Sequence, residues 1–77
     1  MKEYRVRVHS IGDVMGFVEA AKQLRGPCEV VSGRYRVDGK SLMGMLAIPE
    51  TADMVLELGM EQDEGELPEG LLKYLWL

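Results

Sequence analysis

One histidine, one cysteine and one tryptophan are all that this 77-residue chain carries of three residue types on which much protein chemistry rests. A lone Cys28 forms no internal disulfide, so the pattern of a stapled secreted scaffold is excluded. With His9 as the single imidazole, no nucleophile–base–orienter set can be assembled, and there is no Cys/His cluster for zinc. Asp63, Glu64 and Glu66 lack the ordered ligand spacing of a calcium loop and read as a solvated charge run. Gly39 and Gly44 do not form a nucleotide-type phosphate loop behind a strand. The expectation is therefore a protein that is not an enzyme and holds neither metal nor cofactor. Positive charge is also scarce: 9 Lys and Arg stand against 13 Asp and Glu, a formal net charge of −4 that argues against a nucleic-acid partner. No apolar run is long enough to cross a bilayer, and the charged N-terminal stretch has no signal-peptide pattern. A cytoplasmic protein of one domain, residues 1–77, without a membrane partner is expected.

What is present is a regular alternation of element signals. Lys2–His9 places Tyr4, Val6 and Val8 on one side and Arg5, Arg7 and His9 on the other, the period of a half-buried strand. Ser10 or Asp13 can cap the next element, a helix from about Asp13 to Leu24 with Val14, Phe17, Val18, Ala21 and Leu24 at helical steps. Gly26-Pro27 stops it. Cys28–Val31 and Tyr35–Val37 read as a hairpin across Ser32-Gly33, with Cys28, Val30, Tyr35 and Val37 facing inward. Ala52–Leu58 returns as a strand with Met54, Leu56 and Leu58 on one face. The acidic loop 61–66 follows, and then a short C-terminal helix over 68–77, begun by Pro68 and apolar through Leu71, Leu72, Tyr74, Leu75 and Trp76. The order β-α-β-β-α-β-α predicts an α+β fold: a two-layer open-faced β-sandwich, its four-stranded antiparallel sheet carrying the helices on one face. On the open face, Arg5, Arg7, Arg34 and Arg36 stand beside Glu29 and Glu57 as candidates for cross-strand ion pairs.

The stretch that organises the chain is Asp38–Ile48. Asp38-Gly39-Lys40 supplies a turn, Ser41 is a helix N-cap, and Pro49 ends the short helix that follows. Leu42, Met45, Leu46 and Ile48 mark a buried stripe, with Met43 toward one edge. A cap and a phosphorylation site are compatible roles for Ser41, since the positive helix end and Lys40 would both favour an added phosphate.

Element order, helix placement and the run Val37-Asp38-Gly39-Lys40-Ser41-Leu42-Met43-Gly44-Met45-Leu46-Ala47-Ile48 together resemble the HPr family of the bacterial sugar phosphotransferase system. The likeness is most specific at Lys40-Ser41-Leu42-Met43-Gly44, which resembles the family's regulatory serine and the helix it caps. The spacing from Phe17 to Ser41 fits as well, and the resemblance covers nearly the whole chain. It implies an HPr-like fold, a Ser41 read by an HPr kinase/phosphorylase, and binding to a LacI-type catabolite regulator in carbon catabolite regulation. It also implies partner contacts at Lys40, Met43, Gly44 and Leu46, although Met43 and Leu46 read equally as core filling.

The family's histidine chemistry is where the sequence departs. Phosphocarriers take their phosphoryl group on a histidine at the start of the first helix, in a Gly-Leu-His-Ala/Thr-Arg-Pro stretch. The corresponding Val8–Val14 segment is shorter, lacks the arginine and proline, and puts Asp13 where its charge would repel a phosphoryl group. The family's catabolite-repression paralogue likewise lacks the active histidine and keeps the serine. A regulatory, binding role through Ser41 is the first expectation. The alternatives are a degenerate phosphocarrier using His9, and an interaction module that homodimerises through the apolar segment Leu71–Leu77.

Overall fold

A computed structural model describes residues 2–49, 53–59 and 66–76 of the chain, the side chain of Lys2 excepted. The elements run β1 (Lys2–Val6), α1 (Ile11–Ala21), β2 (Cys28–Ser32), β3 (Tyr35–Asp38), α2 (Leu42–Leu46), β4 (Met54–Leu58), α3 (Glu69–Leu72) and β5 (Leu75–Trp76). The chain is an α+β fold; among the described residues one antiparallel sheet, ordered β3-β2-β4-β1-β5, carries three helices. Alternation does the sorting. Tyr4, Val6, Cys28, Val30, Met54, Leu56 and Leu58 turn inward and join Phe17, Val18, Met45 and Leu71 from the helices in one core. Val31 and Val55, which are register partners, lie half-buried on the opposite face beside exposed Arg5 and Arg36. No described helix is long and apolar enough to cross a membrane.

Strands β2, β4 and β1 are each paired on both sides, and Val30 of β2 and Leu56 of β4 have no exposed surface. The hairpin between β2 and β3 turns on Gly33-Arg34, with Gly33 at φ 59° and no other residue of the turn at positive φ. A positive φ at the first central position alone matches the right-handed twist of the flanking strands, and glycine accepts it without strain.

Two expectations need correction. Among the described residues the sheet has five strands, not four, and the C-terminal segment is a helix only over Glu69–Leu72. Beyond it the chain turns at Lys73-Tyr74, and Leu75–Trp76 pairs with Val6 and Arg5 as β5. The helix stops because Tyr74 has a better place than the next helical position. Its ring packs edge-on against Phe17, centroids 6.1 Å apart, and its carbonyl accepts the Arg7 N–H at 2.7 Å. Aromatic residues suit a pleated surface, so Trp76 loses little by leaving the helix. Leu71 is fully buried and Tyr74 nearly so, which docks this segment on its own chain.

Smaller shifts have similar causes. Helix α1 begins two residues earlier than the periodicity predicts, because Ser10 is the cap, and it ends at Ala21, with Gln23 and Leu24 in tighter three-residue turns. Tyr35 faces the core side but sits on the edge strand, where no neighbour covers it, and it is exposed rather than inward. In α2 the expected stripe narrows to Met45, with Ile48 just beyond the helix, while Leu42 and Leu46 are exposed. Ala52 and residues 61–65, assigned to a strand and an acidic loop from the sequence, lie outside the described residues. Arg36 bridges Glu29 at 2.7 Å and Glu57 at 2.9 Å, an ion-pair triad on the open face; those hydrogen bonds, Glu29 first, hold the guanidinium proton more tightly than usual.

Candidate functional site

The segment between β3 and α2 is fixed before any ligand is considered. The Asp38 carboxylate accepts the Lys40 N–H at 2.9 Å, and the Asp38 carbonyl accepts the Ser41 N–H at 3.0 Å, closing a turn on itself. Gly39 is buried in that turn, and the position suits glycine because a Cβ there would lie 2.9 Å from Cys28 Sγ. Ser41 Oγ then accepts the Gly44 N–H at 3.1 Å and so caps α2 in the way its position in the sequence predicts. Lys40 does not reach toward that hydroxyl. Its ammonium donates to the Leu24 carbonyl at 2.9 Å, tying the turn to the end of the α1 segment. Gly44 is also turned inward: a Cβ there would stand 3.2 Å from Val37 Cβ, so the missing side chain lets α2 lie close on β3.

Of the sequence-based candidates, Ser41, Met43 and Leu46 are therefore brought onto one short surface helix, while Lys40 and Gly44 build its foundation. Met43 is 83 % exposed and Leu46 48 %. Periodicity alone does not reveal what stands beside them. Leu46 lies with Ile11 and Val14 of α1, and with Val8, Met45 and Ile48, around a cleft of about 300 Å³ between the start of α1 and the end of α2. Ile11 and Met15, 65 % and 51 % exposed and four residues apart on α1, present further apolar surface. The signal for them was available in the i, i+4 spacing, but it is readable only once Ser10 is known to be the cap and Ile11 the first residue of α1. Two helices thus show solvent a set of large flexible side chains, of the kind that adapts to a protein partner.

No family model, curated protein or solved structure matches this chain. The site has to be read from its own geometry.

His9 sits outside this surface in the linker before α1, exposed. Its backbone N–H donates to Asp13 Oδ2 at 2.9 Å while the Asp13 N–H donates to Ser10 Oγ at 3.0 Å. This reciprocal bonding is a variant of the capping box, with the acidic side chain reaching one residue further back. The Ser10 hydroxyl satisfies a first-turn donor, and the Asp13 carboxylate on the His9 N–H places the chain's own negative charge at the helix start, so a second anion at the same helix end meets repulsion. Among the described residues no group of three or more His, Cys, Asp and Glu could hold a metal ion. Cys28 is buried under the Gly39 turn; that burial pushes its thiol up, opposed by the Lys40 ammonium, and keeps it protonated and unreactive at neutral pH.

Proposed function

We propose that this chain is a non-enzymatic, HPr-like regulatory protein that binds protein partners through α2 and the adjoining start of α1, with phosphorylation of Ser41 as its switch. The observation that carries the reading is the exposure of Met43 and Leu46 on α2 and of Ile11 and Met15 on α1, with Leu46 and Ile11 lining the cleft between the two helices and Ser41 at the head of α2. The element order β-α-β-β-α-β-α up to α3 supports the HPr-like assignment, and β5 is an addition to it. Phosphoryl transfer from ATP to Ser41 Oγ would release ADP and the hydroxyl proton. The new phosphate could still accept the Gly44 N–H, so the cap would survive while the rim of the apolar surface gained nearly two negative charges. The capping-box carboxylate of Asp13 lends no support to His9 as a phosphoacceptor.

The test is intact-mass spectrometry after incubation with an HPr kinase/phosphorylase and ATP, comparing wild type with Ser41→Ala. One phosphoryl increment on wild type alone is expected. The phosphorylated chain should then bind a LacI-type catabolite regulator more tightly than the unmodified chain, and Met43→Asp should abolish that binding. Absence of the increment refutes the switch; equal regulator binding with and without the phosphate refutes the partner.

A further inference from the structure

The open face of the sheet carries a second feature, unrelated to α2. Arg5 and Arg7 point to the same side of β1, and Trp76 of β5, the register partner of Arg5, lies between them in the next strand. The Arg7 guanidinium carbon stands 4.1 Å from the indole centroid and that of Arg5 stands 5.2 Å away. Among the described residues neither guanidinium has a carboxylate partner, whereas Arg25 and Arg36 are both held by glutamates. In a chain with four more acidic than basic residues, two arginines over one aromatic ring and without a carboxylate partner among the described residues are conspicuous. A guanidinium in cation–π range of a ring is held by the ring's charge distribution and still carries N–H donors for a carboxylate or phosphate oxygen.

We infer that the Arg5–Trp76–Arg7 cluster is a docking surface for an acidic, extended peptide segment of a partner protein. Spacing and surroundings favour a peptide over a longer polyanion. Arg5 in β1 and Arg7, one residue beyond its end, are exposed on either side of buried Val6, and alternate residues of an extended chain are about 6.7 Å apart, so the pair matches carboxylates at alternate positions of an extended peptide. One step back along β1 the same face turns acidic, with Glu3 paired in register to Glu57 and Glu57 to Glu29, three carboxylates against the single Arg36 that bridges the last two. A nucleic-acid backbone running along β1 would meet that row and be repelled, whereas a short acidic segment can end before it. Trp76, 43 % exposed, supplies apolar area beside the charges, and half-buried Val55 continues it inward.

Trp76 is the only tryptophan, so its emission reports on this surface directly. The full chain should be titrated with a synthetic peptide of alternating glutamate and threonine, about ten residues long, and in parallel with an oligonucleotide and with inorganic phosphate. Saturable change in Trp76 emission with the peptide is expected, weakening by about tenfold when salt is raised from low to physiological strength. Arg5→Gln/Arg7→Gln should remove the response while far-ultraviolet circular dichroism stays unchanged, and Arg5→Lys/Arg7→Lys should restore part of it. No saturable response to the peptide, or a response equal in the glutamine variant, overturns the inference. Tighter binding of the oligonucleotide than of the peptide overturns the choice of ligand.

Discussion

Replacing Gly16 by alanine sets two known effects against each other. Glycine in the interior of a helix costs about 1 kcal/mol relative to alanine, so on an open face of α1 the substitution would stabilise the protein. Gly16 is not on an open face. A Cβ there would overlap the Tyr74 hydroxyl and stand 3.2 Å from the ring carbon that bears it. The ring cannot swing clear cheaply, because it is 8 % exposed, packed edge-on against Phe17, and anchored by the Tyr74 carbonyl on the Arg7 N–H. Overpacking of this kind costs about 1–3 kcal/mol, so Gly16→Ala should be a net loss of about 1 kcal/mol, a fall in Tm of roughly 5 °C for a domain of this size.

The decisive comparison is with Tyr74→Phe, which removes the overlapping oxygen and keeps the ring. In that background Gly16→Ala should be neutral or stabilising, so the cycle of four proteins should show a coupling of about 1 kcal/mol or more. Urea unfolding followed by circular dichroism gives the stabilities. Trp76 emission, two residues from Tyr74, shows whether β5 shifts in Gly16→Ala. A single Gly16→Ala variant that gains the full helix-propensity increment, with Trp76 emission unchanged, would refute the close approach of the C-terminal segment to α1.

Other outcomes follow from the same contacts. Ser41→Ala should remove the Oγ bond to the Gly44 N–H and destabilise the protein by about 1 kcal/mol, seen in denaturant midpoints, independently of any effect on phosphorylation. Ser10→Ala should cost a similar amount, about 1 kcal/mol, because it caps α1 in the same way. Met43→Asp should leave stability within about 0.5 kcal/mol of wild type, since the side chain is almost fully exposed, so any loss of binding is a surface effect. Stability should also fall at alkaline pH through Cys28. Its thiol holds its proton more strongly folded than unfolded, so the contribution is complete below the ordinary thiol value of 9.0 and is lost as pH rises above it. Stability curves from pH 8 upward should be flatter for Cys28→Ala, by up to about 1.4 kcal/mol per pH unit; equal slopes would contradict the burial effect.

The fold was legible wherever period and punctuation agree. The alternation of Tyr4, Val6 and Val8 and of Met54, Leu56 and Leu58 needs only the two faces of a strand, and both sets are buried. Ser41 between a turn and Pro49 needs only a cap, and the cap is there. The C-terminal segment failed for a different reason. Leu71, Leu72, Tyr74, Leu75 and Trp76 are apolar at nearly every position, and a continuous apolar run carries no period to separate helix from strand. What decides it is long-range: the Arg7 N–H left open at the edge of β1, and the space over Gly16 that only Tyr74 fills. Neither is visible from within residues 68–77.

The candidate site divides along the same line, between what a residue is and what stands next to it. Lys40 beside Ser41 in sequence suggests a cation waiting for a phosphate, yet four methylenes carry the ammonium to the Leu24 carbonyl. A lysine one residue from a serine is close in the chain and free to be elsewhere in space, since its stem samples many rotamers until a fixed acceptor selects one. A phosphate on Ser41 would have to draw that ammonium away from the Leu24 carbonyl or rely on the Gly44 N–H alone. The two cases separate in one variant: Lys40→Met loses the tie to the Leu24 carbonyl in either state of Ser41. If the ammonium moves to the phosphate, phosphorylation should stabilise wild type more than Lys40→Met, by about 1 kcal/mol in a denaturant titration. An equal effect of phosphorylation in both proteins would leave Lys40 as a strut of the turn and no part of the switch.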